Sequence, residues 1–194
     1  MRRSLAPWRR KVARAAWEMA ARGLVSGSSG NVSLRVGELV LITPSGIPYD
    51  LLDPRQVAII DLVEAQRFAG EPSSEWRMHV SIYRAREDVR AVVHTHSPHA
   101  TVASFWEALP ALHDEGKILF GEAVPVSRHA PPGTWALAEA VIEALGRGKA
   151  ALIARHGAVA VGRTLSEALS LAEKLEETAQ LALLKAKGAP LTHP

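Results

Sequence analysis

The sequence of 194 residues predicts an α/β or α+β layered domain with one central sheet. Three observations favour this class: strand-like runs are interleaved with amphipathic helical segments, most connections between them are short, and neither an internal repeat nor an interdomain linker interrupts the pattern. A hydrophobic content of 47% is enough to form one sizeable core. We therefore expect a single domain over residues 1–194.

The chain begins with a helix that is followed by two strands. Residues 7–22 place apolar side chains at helical spacing between Arg and Lys, which predicts an amphipathic helix that ends at Gly23. Residues 32–36 alternate apolar and polar side chains, as a half-buried strand does. A second strand over 39–42 leads into the turn 43–46, in which Pro and Gly interrupt regular structure.

The next segment leads to a second helix. Residues 57–61 are predicted to form a strand and 65–72 a short polar connection. Apolar residues at helical intervals then predict a helix over 75–86. It follows two serines, Ser73 and Ser74, of the residue type that commonly caps a helix N-terminus.

The remainder of the chain continues the alternation of strands and helices. The segment 110–127 has no clear periodicity and receives no assignment. From apolar periodicity and β-branched runs, we predict a strand over 89–95, a helix near 100–106, a helix over 133–145, strands over 150–154 and 158–161, and a long amphipathic helix over 165–187.

Composition excludes several classes of protein. No apolar run approaches the roughly 20 residues that a membrane-spanning helix needs. The basic N-terminus lacks the apolar stretch of a secretory signal, so we expect a cytoplasmic protein. With 0 Cys, disulfides and thiolate ligands are excluded, and any metal must be held by His and carboxylates. The net charge of +3 suits anionic substrates. No motif for base stacking or groove reading accompanies it, so we expect no nucleic-acid partner.

Three histidines and one glutamate form a candidate metal site. His94 and His96 lie at the end of an apolar strand, where the period of two places both imidazoles on one face. Alone, this pair is slightly better explained by two polar residues that bond neighbouring backbone. His156 follows another strand, however, and Glu75 lies in the first turn of the helix that precedes the His94 strand. Such a set suits a tetrahedral divalent metal, with zinc the first choice.

Five segments together extend this interpretation beyond the metal. In order and spacing the sequence resembles the class II aldolase family, most closely its fuculose-phosphate aldolases, from about Trp8 to about Leu184. The five segments are Gly30-Asn31-Val32-Ser33, Thr43-Pro44-Ser45-Gly46-Ile47-Pro48-Tyr49, Pro72-Ser73-Ser74-Glu75-Trp76-Arg77, Ala91-Val92-Val93-His94-Thr95-His96 and His156-Gly157.

The resemblance implies a fold and a set of site residues. The expected fold is a three-layer α/β/α sandwich with a central, mainly antiparallel sheet. His94, His96 and His156 are expected to bind one Zn²⁺ per subunit, with Glu75 as both a resting ligand and the catalytic acid/base. The expected assembly is a homotetramer with its sites between subunits. The resemblance also implies that the substrate phosphate is bound by Gly30, Asn31, Ser45, Gly46, Ser73 and Ser74.

The resemblance further implies a reaction. The expected one is cleavage of L-fuculose 1-phosphate, or a similar sugar phosphate, to dihydroxyacetone phosphate and L-lactaldehyde through a metal-stabilised enediolate. The sequence departs from the family at Asp114, which stands where a catalytic tyrosine of the family would fall. Asp114 and Glu115 are therefore the candidate proton donors.

Three alternatives to this reaction remain open. The first is a dehydratase of the methylthioribulose-1-phosphate type, whose relatives place an acidic residue near the position of Glu115. The second is a ribulose-phosphate 4-epimerase, although such enzymes typically carry Asp at the position of Glu75. The third is an adducin-like module that binds a partner and is not an enzyme.

Overall fold

The computed structural model describes residues 4–188, except for the side chains of residues 67 and 68. The ends of the predicted domain, residues 1–3 and 189–194, therefore lie outside the described residues. Within the described part the strands are β1 (Asn31–Val36), β2 (Leu39–Ile42), β3 (Ala58–Asp61), β4 (Gln66–Ala69), β5 (Ala91–Thr95), β6 (Ala108–Pro110), β7 (Ala123–Pro125), β8 (Ala150–Ile153) and β9 (Gly157–Gly162). The α-helices are α1 (Ala6–Ala21), α2 (Trp76–Ala85), α3 (Pro98–Ala103), α4 (Asp114–Phe120), α5 (Trp135–Leu145) and α6 (Leu165–Ala186).

Seven of the strands form one central sheet in the order β4-β3-β2-β1-β5-β9-β8. Every neighbouring pair in it is antiparallel. Strands β6 and β7 form a separate antiparallel pair. The position of β5 between β1 and β9 matters most for the site, because it brings three distant parts of the chain to one end of the sheet.

Helices cover both faces of this sheet and create two apolar cores. Alternate strand residues such as Val32 and Val93 pack with α1, α3 and α6 on one face. Their sequence neighbours, such as Val92 and Val159, pack with α2 and α5 on the other. The period of two along each strand produces this division. The expected α/β/α layers and the antiparallel sheet are thus confirmed.

Local sequence signals account for the ends of several helices. Helix α1 has Pro near its start, and the amide of Gly23, at a φ of 70°, bonds the carbonyl of Ala20 after the last turn. Thr134 caps α5 by accepting from the amide of Leu137. Thr164 caps α6 in the same way. No helix in the described part of the chain is both long and apolar enough to cross a membrane.

Two predictions about local structure are wrong. The segment 65–72 is not merely a polar connection, because it contains β4, which pairs with β3. As the edge strand of the sheet, β4 needs only one partner and no continuous apolar pattern. Ser73 and Ser74 do not cap α2, whose N-cap position is held by Glu75 without a side-chain cap. Ser73 is instead bonded within a buried polar network described below. The unassigned segment 110–127 contains α4 and β7.

Candidate metal and anion site

The three predicted histidines converge where β5 ends. His94 is the fourth residue of β5, His96 follows the strand directly, and His156 immediately precedes β9, the neighbouring strand. The approach of the chains on either side of β5 depends on two glycines. A Cβ added to Gly157 would overlap the carbonyl oxygen of Thr95, and one added to Gly30 would lie 2.5 Å from the carbonyl oxygen of His94. Glycine at both positions therefore allows β1 and β9 to close around the histidines.

The three imidazoles of this cluster lie close enough together to bind one metal ion. Their ring centroids are 4.8 Å apart for His94 and His96, 4.9 Å for His94 and His156, and 4.8 Å for His96 and His156. The Nε2 atoms of His94 and His96 are 2.9 Å apart. One potential ligand atom from each ring lies within 4.8 Å of the others. The three side chains could therefore hold a metal ion.

The protonation of the cluster suits a cation rather than an anion. Burial, and then the neighbouring imidazoles, lower the pKa of His94 well below its usual value. Burial also lowers the pKa of His96, and burial together with His96 lowers that of His156 to about 4. The rings are therefore neutral near pH 7. Nδ1 of His94 donates to the carbonyl oxygen of Ala158, which leaves its Nε2 lone pair free to bind a metal.

One further observation supports a metal at this position. Nδ1 of His156 is buried and has no hydrogen-bond partner among the described residues. An unpaired polar atom in a buried position is costly unless a ligand satisfies it. Three neutral imidazoles without thiolates are a donor set that suits zinc and other first-row divalent ions. The residues thus fit the metal expected from the sequence.

Glu75, the fourth predicted ligand, is buried but is not a member of the histidine cluster. In the described part of the chain, the group of potential ligand atoms within 4.8 Å of one another contains the three histidines and not Glu75. Its side chain is buried, and Oε2 has no hydrogen-bond partner there. Burial raises the pKa of Glu75, against a backbone hydrogen bond from Gly133 that lowers it. A carboxyl group whose pKa is raised by burial is suited to donate and accept a proton in catalysis.

Aromatic residues hold the segment around Gly133 against the start of α2. The rings of Trp76 and Trp135 meet edge to face with centroids 5.6 Å apart. The Arg77 guanidinium lies 4.7 Å from the Trp76 ring centroid and donates to the carbonyl oxygen of Gly133 at 3.0 Å. These contacts fix the chain that faces Glu75.

The predicted phosphate-binding segments converge next to the histidines. Asn31 lies opposite His94 in the β1–β5 ladder, and its Nδ2 donates to Oγ of Ser73 at 3.0 Å. The amide of Ser73 donates to the carbonyl oxygen of Thr43, and this contact brings the turn 43–46 alongside. The segment contributes Ser45 and Gly46 to the surface, together with Ser74. Gly30 precedes Asn31. The structure thus brings the three predicted segments together.

A buried polar chain that the sequence did not reveal continues inward from Asn31. Oδ1 of Asn31 faces Nε2 of His79, whose Nδ1 lies 2.6 Å from Oγ of Ser33. That hydroxyl lies 2.7 Å from the hydroxyl of Tyr83. His79 is fully buried in this network. Periodicity could have indicated this grouping, since Asn31 and Ser33 share one face of β1 and His79 and Tyr83 are one helical turn apart.

The two candidate proton donors lie on α4 and are exposed. Glu115 forms an ion pair with Lys174 at 3.0 Å. Asp114 is the first residue of α4. Neither belongs to the histidine cluster found among the described residues.

Comparisons with known proteins agree with this geometry. The sequence profile of the family described as Class II Aldolase and Adducin N-terminal domain matches residues 10–183. The chain is 41% identical over 167 residues to the 5-methylthioribulose-1-phosphate/5-deoxyribulose-1-phosphate aldolase of Rhodospirillum rubrum, covering 86% of this chain and 76% of that protein. It is also 41% identical over 167 residues to the L-fuculose phosphate aldolase of Escherichia coli strain K12, covering 86% of this chain and 78% of the relative.

Solved structures give the same result. The structure of an L-fuculose 1-phosphate aldolase superposes with a TM-score of 0.88 at 31% sequence identity. The match covers 96% of this chain and 90% of that one.

Proposed function

The chain belongs to the class II aldolase and adducin N-terminal domain family, and we propose that it is a zinc-dependent aldolase of a ketose 1-phosphate. The resemblance inferred from the five motifs is thereby confirmed, and so is the lyase class. The named relatives are aldolases, which disfavours the dehydratase, epimerase and adducin-like alternatives. The proposed reaction gives dihydroxyacetone phosphate and an aldehyde, which is L-lactaldehyde when the substrate is L-fuculose 1-phosphate.

The histidine cluster carries this proposal. Neutral His94, His96 and His156, with ligand atoms within 4.8 Å of one another, would hold one Zn²⁺ per subunit. The ion, when bound, supplies a Lewis acid that polarises the ketone carbonyl and stabilises negative charge on its oxygen. Glu75 would complete the resting ligand set and leave it when substrate binds.

Glu75 is proposed as the acid/base. In the cleavage direction the bond between the carbon next to the ketone and the carbinol carbon breaks, and its electron pair stays with the dihydroxyacetone phosphate half. That carbon then needs one proton, and the carbinol hydroxyl must lose one as the aldehyde forms. The raised pKa of Glu75 favours the protonated carboxyl group, which can supply the proton to the carbon.

The phosphate is proposed to bind Asn31 and Ser73, with Gly30, Ser45, Gly46 and Ser74 around them. Asn31 and Ser73 are nearly inaccessible to solvent in the free protein, and each is held by side-chain hydrogen bonds. Uncharged donors at the start of α2 form an anion site without a cation, because amide and hydroxyl hydrogens and the helix dipole attract the phosphate oxygens.

The aldehyde half of the substrate is a separate question. Relatives named for L-fuculose phosphate and for 5-methylthioribulose or 5-deoxyribulose 1-phosphate are equally identical to this chain. These sugar phosphates share the dihydroxyacetone phosphate half and differ in the aldehyde that they release. The phosphate and metal residues would be common to all of them, whereas Asp114 and Glu115 are proposed to exchange the hydroxyl proton of the variable half.

We also propose that the protein works as a cytoplasmic homotetramer with sites between subunits. Large apolar side chains are exposed near α3 and α4, with Phe105 66% and Ile118 80% accessible. Exposed apolar surface of this kind favours contact between subunits. Light scattering of the purified protein tests the assembly.

A substrate panel tests the reaction. The protein is loaded with zinc, and dihydroxyacetone phosphate is measured by coupled reduction after addition of L-fuculose 1-phosphate, 5-deoxyribulose 1-phosphate or 5-methylthioribulose 1-phosphate. We expect cleavage of at least one of them, lost in His96→Ala together with bound metal. Stoichiometric zinc without cleavage of any of the three would reject the proposed substrate class.

A further inference from the structure

We infer that His79 and Ser33 are positioning residues that orient Asn31 and Ser73 so that both present hydrogens to the substrate phosphate. The inference rests on the phosphate site proposed above. It concerns a series of buried hydrogen bonds from Tyr83 in the core to Ser73 at the site. In this series the donor and the acceptor of each bond are fixed.

His79 sets the direction of hydrogen-bond donation along this series. Its Nε2 faces Oδ1 of Asn31, which can only accept, so Nε2 carries the hydrogen. Complete burial lowers the pKa of His79 to about 3, so the ring is neutral and Nδ1 has no hydrogen. Nδ1 must therefore accept from the hydroxyl of Ser33, 2.6 Å away.

The hydrogen bond between Ser33 and Tyr83, at the core end of the series, favours the same direction of donation. The hydroxyl of Ser33 has donated to His79, so it accepts from Tyr83 at 2.7 Å. In the reverse direction the Tyr83 hydroxyl would accept from Ser33, and its own hydrogen would be buried without an acceptor among the described residues, which is costly.

At the outer end, this direction leaves Ser73 with a free hydrogen. Oγ of Ser73 accepts from Nδ2 of Asn31 at 3.0 Å and from the amide of Glu75 at 3.3 Å. Both acceptor positions of the hydroxyl are then occupied, so its hydrogen must be donated elsewhere. The second hydrogen on Nδ2 of Asn31 is also available. If hydrogen-bond donation ran in the opposite direction, Oδ1 of Asn31 would face Ser73. That oxygen would then accept the Ser73 hydrogen, which would no longer be available to the phosphate.

The test compares two substitutions of one residue. His79→Leu removes the donor that holds Oδ1 of Asn31, whereas His79→Gln keeps an N–H at about the same reach. In the zinc-loaded protein, we expect His79→Leu to weaken binding of inorganic phosphate, measured by calorimetry, by about 10-fold or more. The KM for the sugar phosphate should rise in parallel while kcat and bound zinc stay near wild type. His79→Gln should restore phosphate affinity to within about twofold of wild type.

Tyr83→Phe is the matched control, because it deletes a buried hydrogen bond without changing the direction of the others. It should lose stability yet bind phosphate as wild type does. Phosphate affinity lost equally in His79→Leu, His79→Gln and Tyr83→Phe would overturn the inference and indicate a general packing effect. Unchanged affinity in His79→Leu would also overturn it.

Ser73→Ala separates this inference from the proposed function. If Ser73→Ala weakens phosphate binding but His79→Leu does not, only the positioning role fails. If the wild-type protein binds no phosphate, the proposed phosphate site fails, and the inference that rests on it fails too.

Discussion

His79 should make the protein sensitive to acid, and the size of the effect follows from its burial. The side chain is fully buried, and its pKa falls to about 3 in the folded protein. Histidine in an unfolded chain has a pKa of about 6.5. The unfolded state therefore binds a proton that the folded state excludes throughout this interval. Stability from neutral His79 is complete above about pH 6.5 and is lost as the pH falls towards 3.

The expected loss can be measured by urea unfolding of chelator-treated protein. Between about pH 7.5 and pH 4.5, protonation of His79 in the unfolded state should cost about 2 to 3 kcal/mol. Other histidines and the carboxylates also contribute, so the useful quantity is the difference between wild type and His79→Gln. Wild type should lose about 2 to 3 kcal/mol more than His79→Gln, or about 1 M in urea midpoint.

Tyr83→Phe again serves as the control, since it lowers stability but keeps His79. Its loss of stability between the two pH values should equal that of wild type. If wild type and His79→Gln respond equally to acid, His79 is not held neutral by burial, and the proton assignment along the chain is refuted.

Three further predictions concern the metal cluster and the fold around it. Chelation should lower the thermal midpoint by about 8 to 16 °C, because metal at about 1,000 times its Kd stabilises the folded state by about 4 kcal/mol. Calorimetry should show no such shift in His156→Ala, and an undiminished shift there would place the metal elsewhere. Gly157→Ala should cost at least about 2 kcal/mol and reduce bound zinc, because the added Cβ overlaps the Thr95 carbonyl. Wild-type urea unfolding and metal content in Gly157→Ala would contradict the close approach of β9 to β5. Glu176 accepts from two backbone amides at the start of α3, so Glu176→Gln should lose about 1 to 3 kcal/mol in urea unfolding. On the same helix, Glu173→Gln loses only an exposed ion pair and should change stability by less than about 1 kcal/mol. Equal effects of the two substitutions would count against a stabilising role for the bonds from Glu176 to the α3 amides.

Much of the fold could be predicted because local patterns and long-range packing agree. The apolar spacing of α6 and the β-branched run of β5 needed only periodicity, and both elements lie within one or two residues of their predicted bounds. Strand β4 was missed because an edge strand has one neighbour and little need for apolar residues. Strand β7 has only three residues, and its pairing with β6 depends on contacts that no local pattern encodes.

Less of the candidate site than of the fold could be predicted from the sequence. His94 and His96 could be paired from a period of two, but His156 lies 60 residues farther along the chain than His96, and its approach depends on the order of β5 and β9. The sequence could single out Glu75 as a candidate site residue, but not the direction of its side chain. The bond between Asn31 and Ser73 could not be foreseen either, because serines before a helix are equally well explained as caps.

The proposed mechanism requires that a metal held by three histidines and proton transfer at Glu75 together labilise a hydrogen on the carbon next to a ketone. Exchange of solvent deuterium into dihydroxyacetone phosphate, followed by NMR, tests it most directly, since the exchange needs no aldehyde and no partner for Asp114. The zinc-loaded wild type should incorporate deuterium at the hydroxymethyl carbon. Glu75→Gln should not do so, although it still binds zinc and inorganic phosphate. Undiminished exchange in Glu75→Gln, or no exchange in zinc-loaded wild type, would contradict this mechanism.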